Sequence, residues 1–517
     1  MIQLLAERGH AAKSRADVVS ALVCERKNDG VKMFDSQIAR LKKMFPSIAH
    51  ALDAGVFTGK FQETLVLFPT ETQARILLTG IGTTDRITLE RLRRAAATAA
   101  KAANSLKAAS LAFETPDEQF KDFLEPGTTW ETVGMTLAEG ATLSVYRFSK
   151  YRTRKENNHS TLRRVSILCN LASRTQELQS GVRLAQTVCE GVYLARDLAN
   201  APANEIYPAS LAQQAQAAGR RYGFAVQVLD ERRIRRLKMG GVLAVARGSD
   251  QPPRFIIMDY RPKRRAQGTV VLVGKGVTFD AGGISIKPAA GMGEMKMDMS
   301  GAAAVIATMG VAARLKLPLH LIGLVPAVEN LLGGAAMKPG DIIRHLSGRT
   351  TEVDNTDAEG RLILADALAF ASRYKPDLVV DLATLTGHVV VGLGHHLTGM
   401  MGNDRDVMQA LQRAGERTYE RVWELPMFEE YEKLIKSDVA DAKNSGGRPA
   451  GAITAALFLK QHIGEYSWVH LDIAGTAIQP EAQDYIPKGA SGVGVRLLTE
   501  FLRSWHKHST HQKGEAR

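Results

Sequence analysis

Residues 269–300 have the sequence TVVLVGKGVTFDAGGISIKPAAGMGEMKMDMS, which places a dense set of charges directly after an apolar run. The β-branched run at its start predicts a buried strand. Lys275 and Asp280 follow this strand, and Lys287 and Asp298 follow a Gly-Gly pair and a Met-rich loop. Charges at the end of an apolar strand are costly to bury without partners. The sequence therefore predicts that they meet oppositely charged groups or ions.

A second stretch, NTDAEGRL at residues 355–362, supplies two more carboxylates, Asp357 and Glu359, between a short predicted strand and a predicted helix. In an extended segment, side chains two residues apart project to the same side. Two close carboxylates resist joint ionisation unless a cation lies between them. With Asp280 and Asp298 they form a set of four oxygen ligands, which suits Mg²⁺, Mn²⁺ or a carboxylate-rich zinc site. This set indicates a two-metal hydrolytic centre.

These carboxylates have a plainer interpretation as helix caps and as salt-bridge partners of Lys275, Lys287 and Arg361. From the residues alone, Lys275 is most simply such a partner, because an amine binds metal only after it has lost its proton. Lys287 is either a group that reaches back over the metals to stabilise an oxyanion or a solvent-exposed lysine. Arg361 lies in the first turn of a predicted helix, where a guanidinium and the helix N-terminus together favour an anion site.

Strands and helices alternate along the second part of the chain. Strands are predicted at 224–230, 241–246, 254–260, 269–274, 320–328, 350–354 and 377–384, and helices from Gly301 and from Gly360. This alternation predicts an α/β domain with a mixed, mostly parallel sheet flanked by helices. Ligands bind beyond the carboxyl ends of the strands in such sheets, and the charged motifs all fall there.

The chain has 517 residues, which is too long for one core and predicts two domains. The first part predicts a smaller α/β domain without a catalytic motif, with strands at 65–70 and 74–82 and an alanine-rich helix at 89–113. The predicted order is an N-terminal α/β domain at 1–165, a helical connector at 166–195, a catalytic domain at 196–505 and a disordered basic tail at 506–517.

Composition is that of an ordinary globular enzyme, with 45% hydrophobic and 23% charged residues. The three cysteines show no metal-binding spacing, so we expect reduced thiols and no zinc-thiolate site. The N-terminal residues contain Glu7 and no apolar core of signal-peptide length, and no apolar run is long enough to cross a membrane. We therefore expect a cytoplasmic protein that makes no membrane contact.

Positive charge is concentrated in the first part of the chain. The net charge is +13, and residues 1–165 hold 25 Lys and Arg against 18 Asp and Glu, whereas the rest of the chain holds 42 against 36. The densest stretch, residues 147–164, is either a solvated surface or a surface for nucleic acid or another acidic partner. DNA binding by this basic domain is an alternative function, and it can coexist with catalysis.

The charged motifs resemble those of the leucine aminopeptidase (cytosol aminopeptidase) family. The resemblance includes GKGVTFDAGG with SIK, then MKMDMSGAAAV, and the octapeptide at 355–362, which matches the family signature without a substitution. It extends through DLANAPANEIYP at 197–208, DLATLTG at 381–387 and WVHLDIAGTA at 468–477. It implies a metal-dependent aminopeptidase that removes leucine-like and other apolar N-terminal residues from peptides, using a hydroxide activated by two metal ions.

The resemblance also implies the metal ligands. In the family, two divalent ions (zinc or manganese) are held by one lysine and four carboxylates, which are matched here by Lys275, Asp280, Asp298, Asp357 and Glu359. One ion takes the lysine with Asp280, Asp298 and Glu359. The other takes Asp280, Asp357 and Glu359, together with the backbone carbonyl of Asp357.

The same resemblance implies roles for the remaining site residues. Lys287 stabilises the tetrahedral intermediate, Arg361 holds a bicarbonate ion that shuttles protons, and Asp298 helps to bind the free amino group. The substrate cleft is matched by Met295, Asn355, Thr384, Leu385 and Gly387. His388 stands where the family usually has a small residue, and it either alters the pocket or is incidental. The family forms homohexamers of paired trimers, which we expect here on the resemblance alone.

Overall fold

The structure is a computed structural model, and it describes residues 2–26, 33–115, 118–153 and 161–506. The chain divides into two compact units, which are unit 1 (Met1–Glu190 and Glu481–Lys488) and unit 2 (Gly191–Pro480 and Gly489–Arg517). Two predicted features lie wholly or partly outside the described residues: all but the first residue of the tail at 506–517, and residues 154–160 of the basic stretch at 147–164.

Unit 1 is built on a single mixed sheet. Its strands are β1 (Gln3–Arg8), β2 (Val18–Cys24), β3 (Thr64–Leu67), β4 (Arg75–Gly82), β5 (Ser110–Glu114) and β6 (Arg164–Cys169). Its helices are α1 (Met33–Met44), α2 (Ala49–Asp53), α3 (Leu89–Ser105) and α4 (Trp130–Leu143), and α5 (Ala172–Asn200) contains the point at which the units divide. Within the described residues the strand order is β1-β6-β5-β2-β4-β3, with β3 antiparallel to β4 and all other neighbours parallel. Each face of this sheet carries its own buried apolar layer.

Two predicted elements of unit 1 are shorter than the sequence suggested. The helix predicted at 89–113 ends at Ser105, because residues 110–114 form β5 between β2 and β6. Residues 164–169, which include the start of the predicted connector at 166–195, form β6, and the following helix begins only at Ala172. Both segments are short and apolar, and pairing with neighbouring strands outweighs the local helical preference.

Unit 2 contains the remaining elements. Its strands are β7 (Ala225–Leu229), β8 (Arg254–Tyr260), β9 (Thr269–Gly274), β10 (Gly276–Asp280), β11 (His320–Asn330), β12 (Ile342–Arg344), β13 (Thr350–Glu352), β14 (Leu378–Ala383), β15 (Thr398–Gly402), β16 (Val422–Glu424), β17 (Ala442–Lys443), β18 (Ser467–Asp472), β19 (Ile478–Gln479) and β20 (Gly489–Ala490). Its helices are α6 (Pro208–Tyr222), α7 (Glu231–Arg236), α8 (Gly240–Ala246), α9 (Ser300–Leu315), α10 (Gly360–Ala371), α11 (Gly387–Leu393), α12 (Arg405–Thr418), α13 (Gly451–Lys460) and α14 (Val495–Ser504). In the part of the chain that the structure describes, no helix is both long enough and apolar enough to cross a membrane.

The main sheet of unit 2 confirms the predicted α/β fold. Its described strands follow the order β16-β15-β18-β14-β9-β11-β8-β7, and β10 pairs with β11 outside this path. The central strands β18, β14, β9 and β11 are parallel, whereas β7, β8 and β15 run antiparallel to their inner neighbours. Because the central strands are parallel, their carboxyl ends meet at one edge, and this edge carries the charged motifs.

The strand predicted at 241–246 is wrong, because these residues form helix α8. The run GVLAVA is apolar throughout, so its periodicity does not distinguish a buried helix from a buried strand. The buried carboxylate of Asp366 in α10 accepts a hydrogen bond from the backbone N–H of Val242 at 3.0 Å. This contact satisfies an N–H group in the first turn of α8 and stabilises the helical conformation there.

Candidate active site

Lys275 lies between β9 and β10, and its side chain is only 3% exposed. Its backbone N–H donates to the carbonyl of Leu382 on β14 at 3.0 Å, which holds it beside the neighbouring strand. Its Nζ lies 2.8 Å from Asp298 Oδ2 and 2.9 Å from Glu359 Oε1. It also donates to the carbonyl of Thr384 at 2.9 Å. One buried ammonium group therefore joins three separate segments of the chain.

Asp280, Asp357 and Glu359 form a carboxylate cluster, in which one oxygen atom of each lies within 4.8 Å of the others. Asp280 is the last residue of β10. Glu359 is the N-cap residue of α10, and Asp357 lies two residues before it. Lys287 Nζ lies 2.9 Å from Asp280 Oδ2 and 2.5 Å from Asp357 Oδ1. The structure therefore brings together carboxylates that are far apart in sequence, and it places a second lysine against them.

Thr356 ties together the two loops that carry these carboxylates. Its Oγ1 donates to the carbonyl of Gly282 at 2.6 Å and accepts from the backbone N–H of Ser285 at 2.8 Å. Gly282 has a φ angle of +87°, a conformation that glycine adopts without strain. The Gly-Gly turn thus reverses the chain and returns Lys287 to Asp280.

Gly360 begins α10 directly beside Lys275. An ideal Cβ at this position would lie 2.6 Å from Lys275 Cε and 2.8 Å from Lys275 Nζ. Any larger residue here would have to displace the end of the buried lysine side chain.

Burial and mutual repulsion raise the pKa of three of the carboxyl groups. Burial raises the pKa of Asp298 well above its ordinary value, although Lys275 opposes this increase. Burial, followed by the charge of Asp280, raises the pKa of Glu359 and that of Asp357 as well. Each group thus holds its proton more tightly than it would in water, a situation that a bound cation would relieve.

Both lysines keep their charge in this environment. Burial lowers the pKa of Lys275, but the carboxylates of Asp298, Glu359 and Asp280 outweigh burial and raise the pKa above its ordinary value. Burial likewise lowers the pKa of Lys287, and Asp280 and Glu359 more than reverse the effect. Two ammonium groups therefore face four carboxylates.

Three buried carboxylate oxygens make no hydrogen bond to any described residue: Asp298 Oδ2, Asp357 Oδ1 and Glu359 Oε1. Each is ion-paired with a lysine Nζ at 2.9 Å or less. Carboxylate oxygens that are buried with so few partners are costly. Four carboxylates also exceed two ammonium groups by two negative charges. The residues therefore fit a divalent metal centre with oxygen-rich coordination.

Arg361 lies in the first turn of α10 and is buried. Its Nη1 donates to the carbonyl of Asn444 at 2.8 Å, whereas its Nε has no hydrogen-bond partner among the described residues. Burial lowers the pKa of Arg361 to about 10, against the opposing charges of Glu359 and Asp472. The guanidinium remains charged at neutral pH, and it offers one N–H group to a small anion near a helix N-terminus.

Thr384, Leu385 and Gly387 lie at the carboxyl end of β14 and the start of α11. Thr384 Oγ1 donates to Asp298 Oδ1 at 2.6 Å. The backbone N–H of Leu385 donates to Asp472 Oδ1 at 3.1 Å. Gly387 is the exposed first residue of the helix. The first of these residues thus contacts a predicted metal ligand directly.

Asn355 and Met295 lie on two other loops of unit 2. Asn355 Oδ1 accepts from the backbone N–H of Asp357 at 2.9 Å. Met295 is half-buried in a short 3₁₀ helix, Met292–Met297, which ends immediately before Asp298. Each of these predicted cleft residues therefore lies in the same loop as a predicted metal ligand, Asn355 with Asp357 and Met295 with Asp298.

His388 is exposed on α11 and packs against the first residue of α13. An ideal Cβ on that residue, Gly451, would lie 2.3 Å from His388 Nδ1. His395 Nδ1 is hydrogen-bonded to the carbonyl of Gly475 at 2.8 Å. The close approach of His388 to Gly451 favours a packing role for this histidine.

Two asparagines that the sequence analysis did not single out hold the ligand loops in place. Asn330, at the end of β11, donates through Nδ2 to Asp280 Oδ1 at 2.8 Å and to Thr356 O at 3.0 Å. Asn444, just after β17, donates through Nδ2 to Asn355 O at 2.7 Å and accepts from the backbone N–H of the same residue at 3.1 Å. A buried side-chain amide needs several hydrogen-bond partners. The signal in the sequence that could have identified these asparagines is their position at or just after the end of a strand.

The chain was compared with known families, curated proteins and solved structures. The catalytic-domain model of the cytosol aminopeptidase family matches residues 193–499, and the N-terminal-domain model of the same family matches residues 35–155. A probable cytosol aminopeptidase from Roseiflexus castenholzii is 45% identical over 460 residues, which cover 88% of this chain and 92% of that protein. A second, from Geobacter sulfurreducens, is 45% identical over 485 residues, or 91% of this chain and 94% of that protein.

Two kinds of solved structure share the fold. The bottromycin maturation enzyme BotP is 34% identical, with a TM-score of 0.81 over 94% of this chain and 99% of that one. A mutant of tomato leucine aminopeptidase is 32% identical, with a TM-score of 0.84 over 97% of this chain and 96% of that one.

Fold, site and comparisons together define a leucyl aminopeptidase-type hydrolase. The chain belongs to the cytosol aminopeptidase family. The family predicted from the sequence motifs is confirmed, whereas the alternative of DNA binding has no support from these comparisons.

Replacing Gly360 with alanine should displace the ammonium group of Lys275 from its carboxylate partners. In an unstrained helix, glycine-to-alanine changes stabilise by about 1 kcal/mol, so any loss reports the close contact. We expect the free energy of unfolding in urea to fall by about 1–3 kcal/mol. We also expect hydrolysis of leucyl-p-nitroanilide to fall about 10²-fold, because the site is misplaced. Gly334→Ala is the control, since its Cβ would meet no heavy atom within 4 Å. Equal stability and activity in the two variants would contradict the interpretation.

Proposed function

We propose that the chain is a two-metal aminopeptidase that removes leucine-like and other apolar residues from the N-termini of peptides. The observation that carries this proposal is the meeting of Asp280, Asp357 and Glu359 within 4.8 Å, in a chain of the cytosol aminopeptidase family. The similar enzyme BotP has been solved in complex with Mn. Manganese and zinc are therefore the candidate metals for this chain.

The two ligand sets are those that the family resemblance implies. One ion would be held by Lys275, Asp280, Asp298 and Glu359, and the other by Asp280 and Glu359 with Asp357. Bound ions of this kind act as Lewis acids and make water a strong nucleophile at neutral pH. Lys275 would first have to lose the proton that its carboxylate partners now stabilise.

Lys287 would stabilise the negative charge that develops on the peptide carbonyl oxygen. Its pKa is raised, so it is an ammonium donor at neutral pH. Its Nζ lies between Asp280 and Asp357, and its side chain is 21% exposed, which leaves it open to a substrate. A preorganised donor of this kind acts mainly on the transition state.

Asp298 would orient the free amino group of the substrate and so restrict cleavage to the chain terminus. Thr384 Oγ1 donates to its Oδ1 at 2.6 Å, which fixes the plane of the carboxylate. Its Oδ2 makes no hydrogen bond among the described residues beyond the 2.8 Å ion pair with Lys275 Nζ, and a substrate amine would share this oxygen with the lysine. Specificity for a free N-terminus follows from this pairing of opposite charges.

Arg361 would hold bicarbonate, which would then serve as the proton carrier. The unpartnered Nε supplies a charged N–H donor, and α10 begins beside it. The predicted ligand and catalytic set contains no histidine, so an exogenous base suits the site.

A homohexamer and a cytoplasmic location remain predictions that rest on the family resemblance. The relatives reported above are named as cytosol aminopeptidases, which agrees with the second of these predictions.

Removing metal from the purified protein should abolish hydrolysis of leucyl-p-nitroanilide, and adding Mn²⁺ or Zn²⁺ should restore it. The reason is that the four carboxylates require a cation before they can organise water and substrate. Activity is followed by the release of p-nitroaniline, and metal content by elemental analysis. Asp357→Asn is the matched variant, and it should show no restoration. Full activity in metal-free protein would refute the proposal.

Replacing Lys287 with alanine should lower kcat about 10²–10³-fold with little change in KM, because the ammonium group acts on the transition state. Lys338→Ala, which removes an exposed lysine, is the control. Elemental analysis must give the same metal content in all three proteins. An unchanged kcat in the Lys287 variant would show that this side chain has no part in the chemistry.

Metal binding should release protons, since Lys275, Asp298 and Glu359 all have raised pKa values in the free protein. Because their pKa values are raised, these groups keep their protons to a higher pH than usual, and the protons compete with the metal. Metal affinity should therefore rise with pH until the groups are deprotonated. Calorimetric titration in buffers of different ionisation enthalpy counts the protons. Lys275→Met should release about one proton fewer. An unchanged count would mean that the lysine keeps its proton and is no ligand.

A further inference from the structure

Unit 1 contains a cavity of about 300 Å³ that has no part in the proposed peptidase chemistry. It lies between the chain that follows β1 and the surface of β5 and β6, and every residue that lines it belongs to unit 1. All predicted metal, catalytic and cleft residues lie in unit 2. The cavity is therefore a separate feature that needs its own explanation.

The topology of unit 1 explains why the cavity exists. Strands β1 and β2 are connected by residues 9–17, although β6 and β5 lie between them in the sheet. Three strand spacings span about 14 Å and a six-residue strand about 20 Å, so the connection must cover about 24 Å diagonally. Nine residues reach about 30 Å when fully extended. The connection is too short for a crossover helix, and it holds only one 3₁₀ turn, Ala11–Lys13.

Three of the sheet residues that line the cavity, Ser110, Ala112 and Ser166, have small side chains, whereas Arg164 and Leu168 are larger. Ser110 pairs with Arg164, and Ala112 pairs with Ser166, so these four residues share one face of β5 and β6. The opposite face of the same strands carries large apolar residues such as Phe113, which are buried in the core. Small residues under a thin connection leave the space unfilled.

The lining of the cavity is strongly basic. It includes Arg8, His10, Lys13, Arg15 and Arg164. Within the described residues, none of these side chains forms an ion pair or a side-chain hydrogen bond. Glu7 adds one carboxylate, so four permanent cations and one anion leave a net charge of +3 around the cavity. Unpaired cations gathered around a concave site concentrate anions there.

The floor supplies an uncharged donor. The hydroxyl of Ser110 is already used, since it accepts from Asp17 N at 2.9 Å and donates to Asp17 Oδ2 at 3.1 Å. Ser166 is buried at the floor, and its hydroxyl makes no hydrogen bond to the part of the chain that the structure describes. A hydroxyl below several guanidinium groups complements the oxygens of a phosphate or carboxylate.

We propose that this cavity binds a small dianionic metabolite, either a phosphate monoester or a dicarboxylate. The net charge of +3 matches an anion of two or more charges, and the volume is at the lower end for small-molecule sites. Duplex DNA presents a row of phosphates to a protein surface, whereas a concave, partly open cavity of about 300 Å³ suits one compact group. The observations thus favour a small molecule over nucleic acid.

Calorimetric titration of the full-length, metal-loaded protein tests the proposal, with glycerol 3-phosphate and succinate as probes at low ionic strength. We expect one molecule of at least one probe per chain, and the tighter probe identifies the ligand class. Arg164→Ala and Arg15→Ala should each weaken binding tenfold or more, because each removes a charged donor. Ser166→Ala should weaken probe binding less than either arginine variant. This variant should fold normally, because the hydroxyl group that it removes makes no hydrogen bond to the described residues.

Arg163→Ala is the matched control, since Arg163 is exposed, adjacent in sequence to Arg164 and outside the cavity. It should change the affinity less than twofold, and all variants should retain wild-type turnover of leucyl-p-nitroanilide. The proposal fails if neither probe binds saturably, or if Arg163→Ala weakens binding as much as Arg164→Ala. It also fails if a 20-bp DNA duplex binds in an Arg164-dependent way while both small probes do not.

Discussion

The buried ammonium group of Lys275 is the constraint on which the catalytic unit depends. A charge at 3% exposure is tolerated only with partners, and it has two carboxylates and one carbonyl within 2.9 Å. These partners come from the loop before α9, the start of α10 and the end of β14. The pairing of β9 with β14 places Lys275 beside the end of β14, and the glycine that begins α10 leaves room for the lysine side chain.

Charge imbalance links this constraint to function. Desolvation and repulsion raise the pKa of Asp298, Glu359 and Asp357, and two lysines do not neutralise four carboxylates. A protein would ordinarily avoid such a cluster, since unsatisfied buried acceptors lower stability. The surrounding amides and hydroxyls, those of Asn330 and Thr356 above all, hold the groups in position against their repulsion. Preorganisation of this kind is what a metal centre requires.

The two units illustrate different ways in which a parallel sheet makes a site. In unit 2 the carboxyl ends of the central strands converge, and the loops that follow them carry the acidic ligands. In unit 1 the cavity arises on a sheet face, because a nine-residue connection crosses two strands without a helix. Its cations come from the strand ends and the connection itself. The two sites therefore offer groups of opposite charge: a cluster of carboxylates in unit 2 and a set of guanidinium groups in unit 1.

The sequence by itself determined the α/β class, the positions of six strands of unit 2 (β7, β8, β9, β11, β13 and β14) and the identity of the clustered lysines and carboxylates. The fold class and the strands depend on local apolar patterns. The clustered groups can be identified because the lysine and carboxylate side chains of the motifs are themselves the chemical groups of the site. Only the tertiary structure decided that residues 241–246 are helical, that Asn330 and Asn444 support the ligand loops, and that small residues leave a cavity in unit 1. Each of these depends on contacts between distant segments, such as Asn444 with Asn355, 89 residues apart. Local helix and strand propensities contain no information about the free energy of such contacts, so the sequence pattern could not predict them.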